Sequence, residues 1–258
     1  MTSVAIIQFP GTNCEYETLE ACRFYGISAF IHRWNLDICL DDISGFILPG
    51  GFSYQDRVRA GVIASKLPIM DKVMTFANQG KPVLGICNGC QILAETGLLP
   101  SESNFSLSMA LSKNVYDEKY IGFICDWVYL KAFNSQNSLF TKYFSDNDVI
   151  PMPINHGEGN FVFDLDQVEF SKLSMFKYVD IDGRVLSKPL NGSYNSIAGI
   201  SNGTGNVFAM MPHPERSAFL RQIPRYFSRK WSDKQAKILQ DSPGSSEKIF
   251  LALKEALS

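Results

Sequence analysis

No stretch of this sequence stays apolar for the roughly 20 residues that a membrane-crossing helix needs, which excludes a helical membrane span. Nor is there a surplus of either charge: 24 Lys and Arg stand against 26 Asp and Glu, a net of −2 over 258 residues. So even a balance gives no general attraction to nucleic acid or to a membrane surface. The N-terminus lacks the basic lead-in of a secretion signal, and its apolar stretch, Val4 to Ile7, is too short for one. A cytoplasmic location is therefore expected. Cysteine is sparse, with six in the chain. That density excludes a disulfide scaffold, and in the cytosol all six would stay thiols. Internal repeats and long low-complexity linkers are missing too, so one compact domain over residues 1–258 is expected. What is present, 45% apolar and 19% charged residues, is the usual material of a globular core.

Short apolar runs alternate with helical patterns through the first third. Val4–Ile7, Ile27–His32, Phe46–Leu48 and Val83–Ile86 read as strands. Asn13 is the expected N-cap of a first helix, with Glu15 and Glu17 in its first turn and Gly26 at its end. A second helix is expected over Ala60 to Asn78, and a third carries Gln91 to Glu95. This alternation predicts an α/β fold: an open, mostly parallel, twisted sheet with helices on both faces. The middle of the chain changes character. Ser106–Leu111, Ile121–Ala132, Val149–Ile154, Asn160–Phe163 and Met175–Val179 are strand-like, and are expected to add antiparallel or mixed strands at one side of the sheet. Asn195–Ile200 and Val207–Met210 flank a hairpin-like connection, Ser201 to Gly205. Asp241 to Ser246 reads as the loosest segment. Beyond it, Ser246 to Leu257 forms an amphipathic helix with Ile249, Phe250, Leu253 and Leu257 on one stripe.

The strongest chemical signal is Gly85-Ile86-Cys87-Asn88-Gly89, a nucleophile flanked by glycines between a strand and a helix. Such a turn is tight and strained. It exposes the sulfur at the carboxyl end of the sheet, beside a helix N-terminus that favours thiolate over thiol. The backbone N–H of Asn88 then points to where an oxyanion forms. Cys87 and Cys90 also make a Cys-x-x-Cys pair, open to a redox role or to half a zinc site. No second such pair exists, and Cys90 has Asn88 and Ile92 where an elbow has glycines, so it reads as helix packing. His213 follows the Val207–Met210 strand. Pro214 holds it extended, so His213 and Glu215 are expected to point the same way, the carboxylate orienting the ring while the free nitrogen faces a thiol. Pro49-Gly50-Gly51 ends the third strand, where Gly50 and Gly51 leave a backbone N–H free to turn toward developing negative charge. His156, in a glycine-rich turn, lines a pocket or satisfies loop backbone and is not assigned as the base; His32 reads as packing or capping. Basic and aromatic residues interleave from Arg216 to Lys237, as a solvated helix face or a docking surface for an acidic partner. On these residues alone a thiol redox or stress protein of related fold stays open beside an amidase.

Together, Gly85 to Gly89, Pro49-Gly50-Gly51 and His213-Pro214-Glu215 resemble the triad glutamine amidotransferases. Within them the chain is most similar to the glutaminase subunits of phosphoribosylformylglycinamidine synthase. Phe9 to Cys14, Gly50 to Tyr54, Arg59-Ala60-Gly61, His156 to Gly159, Asn191-Gly192-Ser193, Ile197 to Ile200 and Met210 to Arg216 carry that likeness, in the expected order. The resemblance implies that Cys87 attacks the side-chain amide of L-glutamine, with His213 and Glu215 completing the triad. Gly51 and Asn88 would serve the oxyanion, and Gln91 and His156 would stand on the substrate side. It further implies a synthetase partner that consumes ATP and Mg, a small accessory subunit in split enzymes, and no cofactor or metal in this chain, which has no P-loop. The sequence departs from the family pattern at Gln55, Cys90, Asn155 and Leu190, none of them in the triad.

Overall fold

The computed structural model describes residues 3–100, 107–145, 148–164, 170–225, 227 and 242–257. In chain order they form β1 (Ser3–Gln8), α1 (Glu15–Phe24), β2 (Ala29–Arg33), β3 (Ile43–Leu48), α2 (Pro68–Asn78), β4 (Val83–Ile86), α3 (Asn88–Thr96), β5 (Met109–Ser112), β6 (Val115–Tyr116), β7 (Lys119–Tyr120), β8 (Ile124–Ala132), β9 (Val149–His156), β10 (Asn160–Phe163), α4 (Phe170–Leu173), β11 (Ser174–Val179), β12 (Ile197–Ser201), β13 (Val207–Met210) and α5 (Glu247–Ala256). Among the described residues nine strands make one sheet, in the order β2-β1-β3-β4-β13-β12-β11-β8-β9. Neighbours from β2 to β13 are parallel. Those from β13 to β9 are antiparallel and lie at one side, as the change in sequence character implied.

The central strands are apolar at every position because helices cover both faces. All four residues of β4 and all four of β13 are buried. Successive residues of a strand point to opposite faces, and β3 shows which helix lies on which. A Cβ on Gly45 would meet Leu257, just past α5, while Phe46 packs edge-on against Phe76 of α2 with ring centroids 4.9 Å apart. Such an aromatic pair contributes about 1 kcal/mol beyond its buried area. Tyr25 at the end of α1 stacks on Phe250 of α5, so these two helices share a face.

Four local expectations are corrected. The helix expected from Ala60 starts at Pro68. Leu67 is held extended by the proline after it, and residues before it form turns, with a 3₁₀ turn at Ala64–Lys66. The residue capping α1 is Cys14, without a side-chain cap; Asn13 instead accepts a hydrogen bond from the Cys14 thiol at 3.1 Å. β5 and β10 pair only with each other, because β5 packs against α3 in the helical layer. Finally, 242–246 is tied down rather than loose. Gly244 N–H donates to Ala218 O, Ser245 Oγ to Pro151 O and Ser246 Oγ to Pro214 O.

Candidate active site

Cys87 links β4 to α3 with φ +50° and ψ −104°, a conformation that costs a non-glycine residue about 1–3 kcal/mol. Its N–H donates to Met210 O at 2.8 Å and its carbonyl accepts from Gln91 N–H at 3.1 Å, which fixes the turn. The flanking glycines are obligatory. A Cβ on Gly89 would lie 1.9 Å from Leu48 O, and one on Gly85 would lie 2.6 Å from Leu93 Cδ1. Gly89→Ala is expected to destabilise the fold by about 3 kcal/mol, because α3 must lift off β3; a thermal melt matching wild type would show that the elbow can relax. The Cys87 thiol points at Asn155 O, 3.6 Å away. Cys90, one turn on, is shut in the core, where burial pushes its thiol well above the ordinary range. That leaves it a poor partner for redox exchange.

His213 ends the segment after β13. Its N–H donates to Pro153 O at 2.9 Å, and its backbone is extended ahead of Pro214, as expected. Glu215 reaches it by another route than continued extension, since Pro214 opens a 3₁₀ turn over Pro214–Arg216. That turn swings the carboxylate back, and His213 Nδ1 lies 2.6 Å from Glu215 Oε1. Both side chains are fully buried. Burial alone would push the ring's pKa down. The Glu215 carboxylate, with the Cys87 and Cys14 sulfurs, overcomes this and holds it well above the usual histidine value. His213 Nε2, the nitrogen a base needs free, has no hydrogen-bond partner.

Cys14 was legible only as part of a motif, yet it stands inside the site. Its sulfur is 4.0 Å from His213 Nδ1 and accepts from Arg216 Nη2 at 3.2 Å. Burial raises its pKa to about 11, so it is a neutral thiol wedged beside the ring. A Cβ on Gly50 would strike His213 Cε1 at 2.7 Å and Cys14 Sγ at 3.0 Å, which is why position 50 carries no side chain. Ligating atoms of Cys14, His213 and Glu215 lie within 4.8 Å of one another. The Arg216 guanidinium on the sulfur and the existing Nδ1–carboxylate bond both oppose a metal ion there.

The turn after β3 is stitched to residues 10–14. Asn13 and Cys14 N–H both donate to Gly50 O, Phe52 N–H to Gly11 O and Tyr54 N–H to Pro10 O. Gly51 N–H is in none of these bonds. The Asn88 side chain makes an anchor that spacing did not reveal. Its Oδ1 accepts from Ser53 N–H at 3.1 Å and its Nδ2 donates to Gln91 Oε1 at 2.9 Å, so the first residue of α3 anchors the Gly50–Ser53 turn. Gln91 Nε2 donates to Glu158 O at 2.7 Å, which ties α3 to the His156–Gly159 turn. Gly51, Cys87, Gln91 and His156 all line one cavity of about 160 Å³. His32, by contrast, sits in β2, its Nε2 3.2 Å from Leu36 O. Half of the basic Arg216–Lys237 stretch, 226 and 228–237, lies outside the described residues; Arg216 and Arg221 pair with Glu17 and Glu20 of α1.

A strained cysteine on the strand-to-helix turn, a buried His–Glu pair and this sheet order are those of a glutamine amidotransferase. Residues 1–242 match the family model described as the CobB/CobQ-like glutamine amidotransferase domain, and the chain belongs to that family. The relatives are more particular still. The phosphoribosylformylglycinamidine synthase subunit PurQ of Methanothrix thermoacetophila is 41% identical over 239 residues, 88% of this chain and 90% of its own length. The PurQ of Methanopyrus kandleri is 43% identical over 220 residues, 84% of this chain and 90% of its own length. A chain in the structure of PurLQS from Thermotoga maritima is 32% identical, with a TM-score of 0.75 and full coverage of both chains. Within the amidotransferases this chain belongs to the PurQ subunits.

Proposed function

We propose that this chain hydrolyses L-glutamine through a Cys87–His213–Glu215 triad and delivers the ammonia to a synthetase subunit. In that reading it is the glutaminase of phosphoribosylformylglycinamidine synthase, in purine biosynthesis. One observation carries the assignment: the buried His213–Glu215 pair, 2.6 Å apart, beside a cysteine held on a strained turn at a cavity. The Cys87 thiolate attacks the amide carbon of the glutamine side chain. The C=O electrons move to oxygen, where the backbone N–H groups of Gly51 and Asn88 stabilise the charge. As the C–N bond breaks, His213 gives its proton to the departing ammonia, leaving a glutamyl thioester. The ring then takes a proton from water, the hydroxide attacks the thioester, and glutamate leaves as the thiolate is restored. A ring held well above the usual histidine pKa enters this cycle already carrying the proton that ammonia needs.

The same reading makes residues 1–258 one amidotransferase domain without a cofactor or metal, working in the cytoplasm. ATP and Mg serve the synthetase partner, and a small accessory subunit completes the complex; PurL, PurQ and PurS stand together in the Thermotoga maritima assembly. Phe52 and Phe123, with ring centroids 6.1 Å apart at the cavity, form a contact that a docked partner can reset. The isolated chain is therefore expected to hydrolyse glutamine slowly and the synthetase to raise kcat. Glutamine hydrolysis measured with and without the synthetase, with Cys87→Ala as control, tests this. Equal rates in both conditions would remove the gating, and hydrolysis by the control would remove the triad.

A further inference from the structure

The cavity holds more charge than the triad uses. Asp56, Glu158 and Lys113 line it, and none of the three forms an ion pair with a described residue. Arg59, which lies near Glu158, has its guanidinium bonded to Glu95 at 2.5 Å. Lys113 Nζ lies 5.6 Å from the centroid of the Tyr120 ring. Glu158 Oε2 accepts from Ala60 N–H at 3.2 Å, and the two carboxylates and one ammonium otherwise line a cavity with Cys87 in its wall.

We infer that these three side chains read the α-amino acid head of the substrate: Asp56 and Glu158 take the α-ammonium, and Lys113 takes the α-carboxylate. The inference rests on the glutaminase reading and deepens it, since nothing in the triad separates free glutamine from any other primary amide.

Electrostatics supports the pairing. Burial, then the charge of Glu158, raises Asp56 to about 6, so the two acidic side chains work against each other in the cavity. A substrate ammonium between them relieves this through charge-assisted hydrogen bonds. His156 adds an acceptor to the same cavity. Asn114 Nδ2 donates to Gly122 O and His156 O, and its Oδ1 accepts from Gly159 N–H. These bonds fix the amide's orientation, so His156 Nδ1, 3.1 Å from Asn114 Oδ1, carries the ring proton. Nε2 is then a bare lone pair, buried and without a partner. Burial and the charge on His213 lower this ring's pKa to about 3, so it adds no positive charge against an ammonium. The backbone also holds Asp56 in place at a cost. Tyr54, Gln55, Asp56 and Val58 all have φ between 52° and 72°. Left-handed conformations are strained for non-glycine residues. Asn88 Nδ2, 3.5 Å from Asp56 Oδ1, connects the aspartate to the anchor of the oxyanion turn.

Two reagents that alkylate Cys87 separate head recognition from reactivity. A diazo-ketone analogue of glutamine, 6-diazo-5-oxo-L-norleucine, carries the α-amino acid head; iodoacetamide does not. Asp56→Asn, Glu158→Gln and Lys113→Met in the full chain are each expected to slow diazo-ketone labelling by about tenfold or more while iodoacetamide labelling stays within about twofold of wild type. Cys39 and Cys125 are exposed free thiols that iodoacetamide also alkylates, so time courses of the Cys87 peptide mass read both rates. Wild-type diazo-ketone rates in the variants, or equal slowing of both reagents, would overturn the inference. Wild type itself serves where a variant fails to fold. Hydrolysis of 4-carbamoylbutanoate, which lacks the α-amino group, is expected to fall at least about tenfold in kcat/KM below L-glutamine, and parity would overturn the inference. A wild-type chain labelled by iodoacetamide but never by the diazo ketone would instead refute the glutaminase reading.

Discussion

Cys87→Ala is expected to lower glutamine hydrolysis by about 10⁴-fold or more, because the reaction loses its only nucleophile rather than a contact. The other cysteines of the region cannot substitute. Cys14 is a neutral thiol behind the His213 ring, its proton on Asn13, and Cys90 is enclosed in the core. The elbow itself should survive, since the close approaches that shape it come from Gly85 and Gly89. Amidation of the synthetase substrate from added ammonium salt should therefore persist in a complex built with the variant. Paired assays with glutamine and with ammonium measure both halves. Glutamine-dependent activity within tenfold of wild type would show that another group attacks the amide.

Glu215→Gln is expected to lower kcat by about 10³–10⁴-fold, the range seen when the carboxylate of a nucleophile–imidazole–carboxylate triad becomes an amide. The amide cannot balance the imidazolium that forms as His213 collects a proton, and it can favour the wrong tautomer. A second effect appears in stability. The folded pKa of His213 is raised, with Glu215 the largest contributor in that direction. A raised folded value means stabilisation that is complete below the unfolded pKa of about 6.5 and is lost as pH climbs through the folded value. The melting-temperature difference between wild type and Glu215→Gln should thus be largest at low pH and shrink on the alkaline side. A difference independent of pH would mean that the pair is not held as an ion pair.

The parts of this site that were legible in the sequence are those that one short segment specifies. Gly85 to Gly89 carries its turn in its own residues, with Gly85 demanded by Leu93 of the following helix and Gly89 by Leu48 of the adjacent strand. His213 and Glu215 were legible as a pair, although the backbone joins them by a 3₁₀ turn and not by extended chain. Helix α2 was overextended because apolar periodicity runs through Leu67 unbroken, and the veto comes from Pro68. The rest of the cavity was not legible, for a geometric reason. Asp56, Lys113 and Glu158 sit on separate loops that only the sheet order brings together. Gln55 shows the same limit from the other side. It stands where the family usually has glycine, and its φ of +60° shows that the chain keeps the glycine-like conformation and carries the strain.

The measurement that bears most directly on the central claim is mass analysis of the Cys87 peptide from a synthetase complex quenched in acid during glutamine turnover. One glutamyl group on Cys87, lost on treatment with hydroxylamine and absent in Cys87→Ala, is the predicted result. Turnover without any adduct on Cys87, or with the adduct on another residue, would contradict the account.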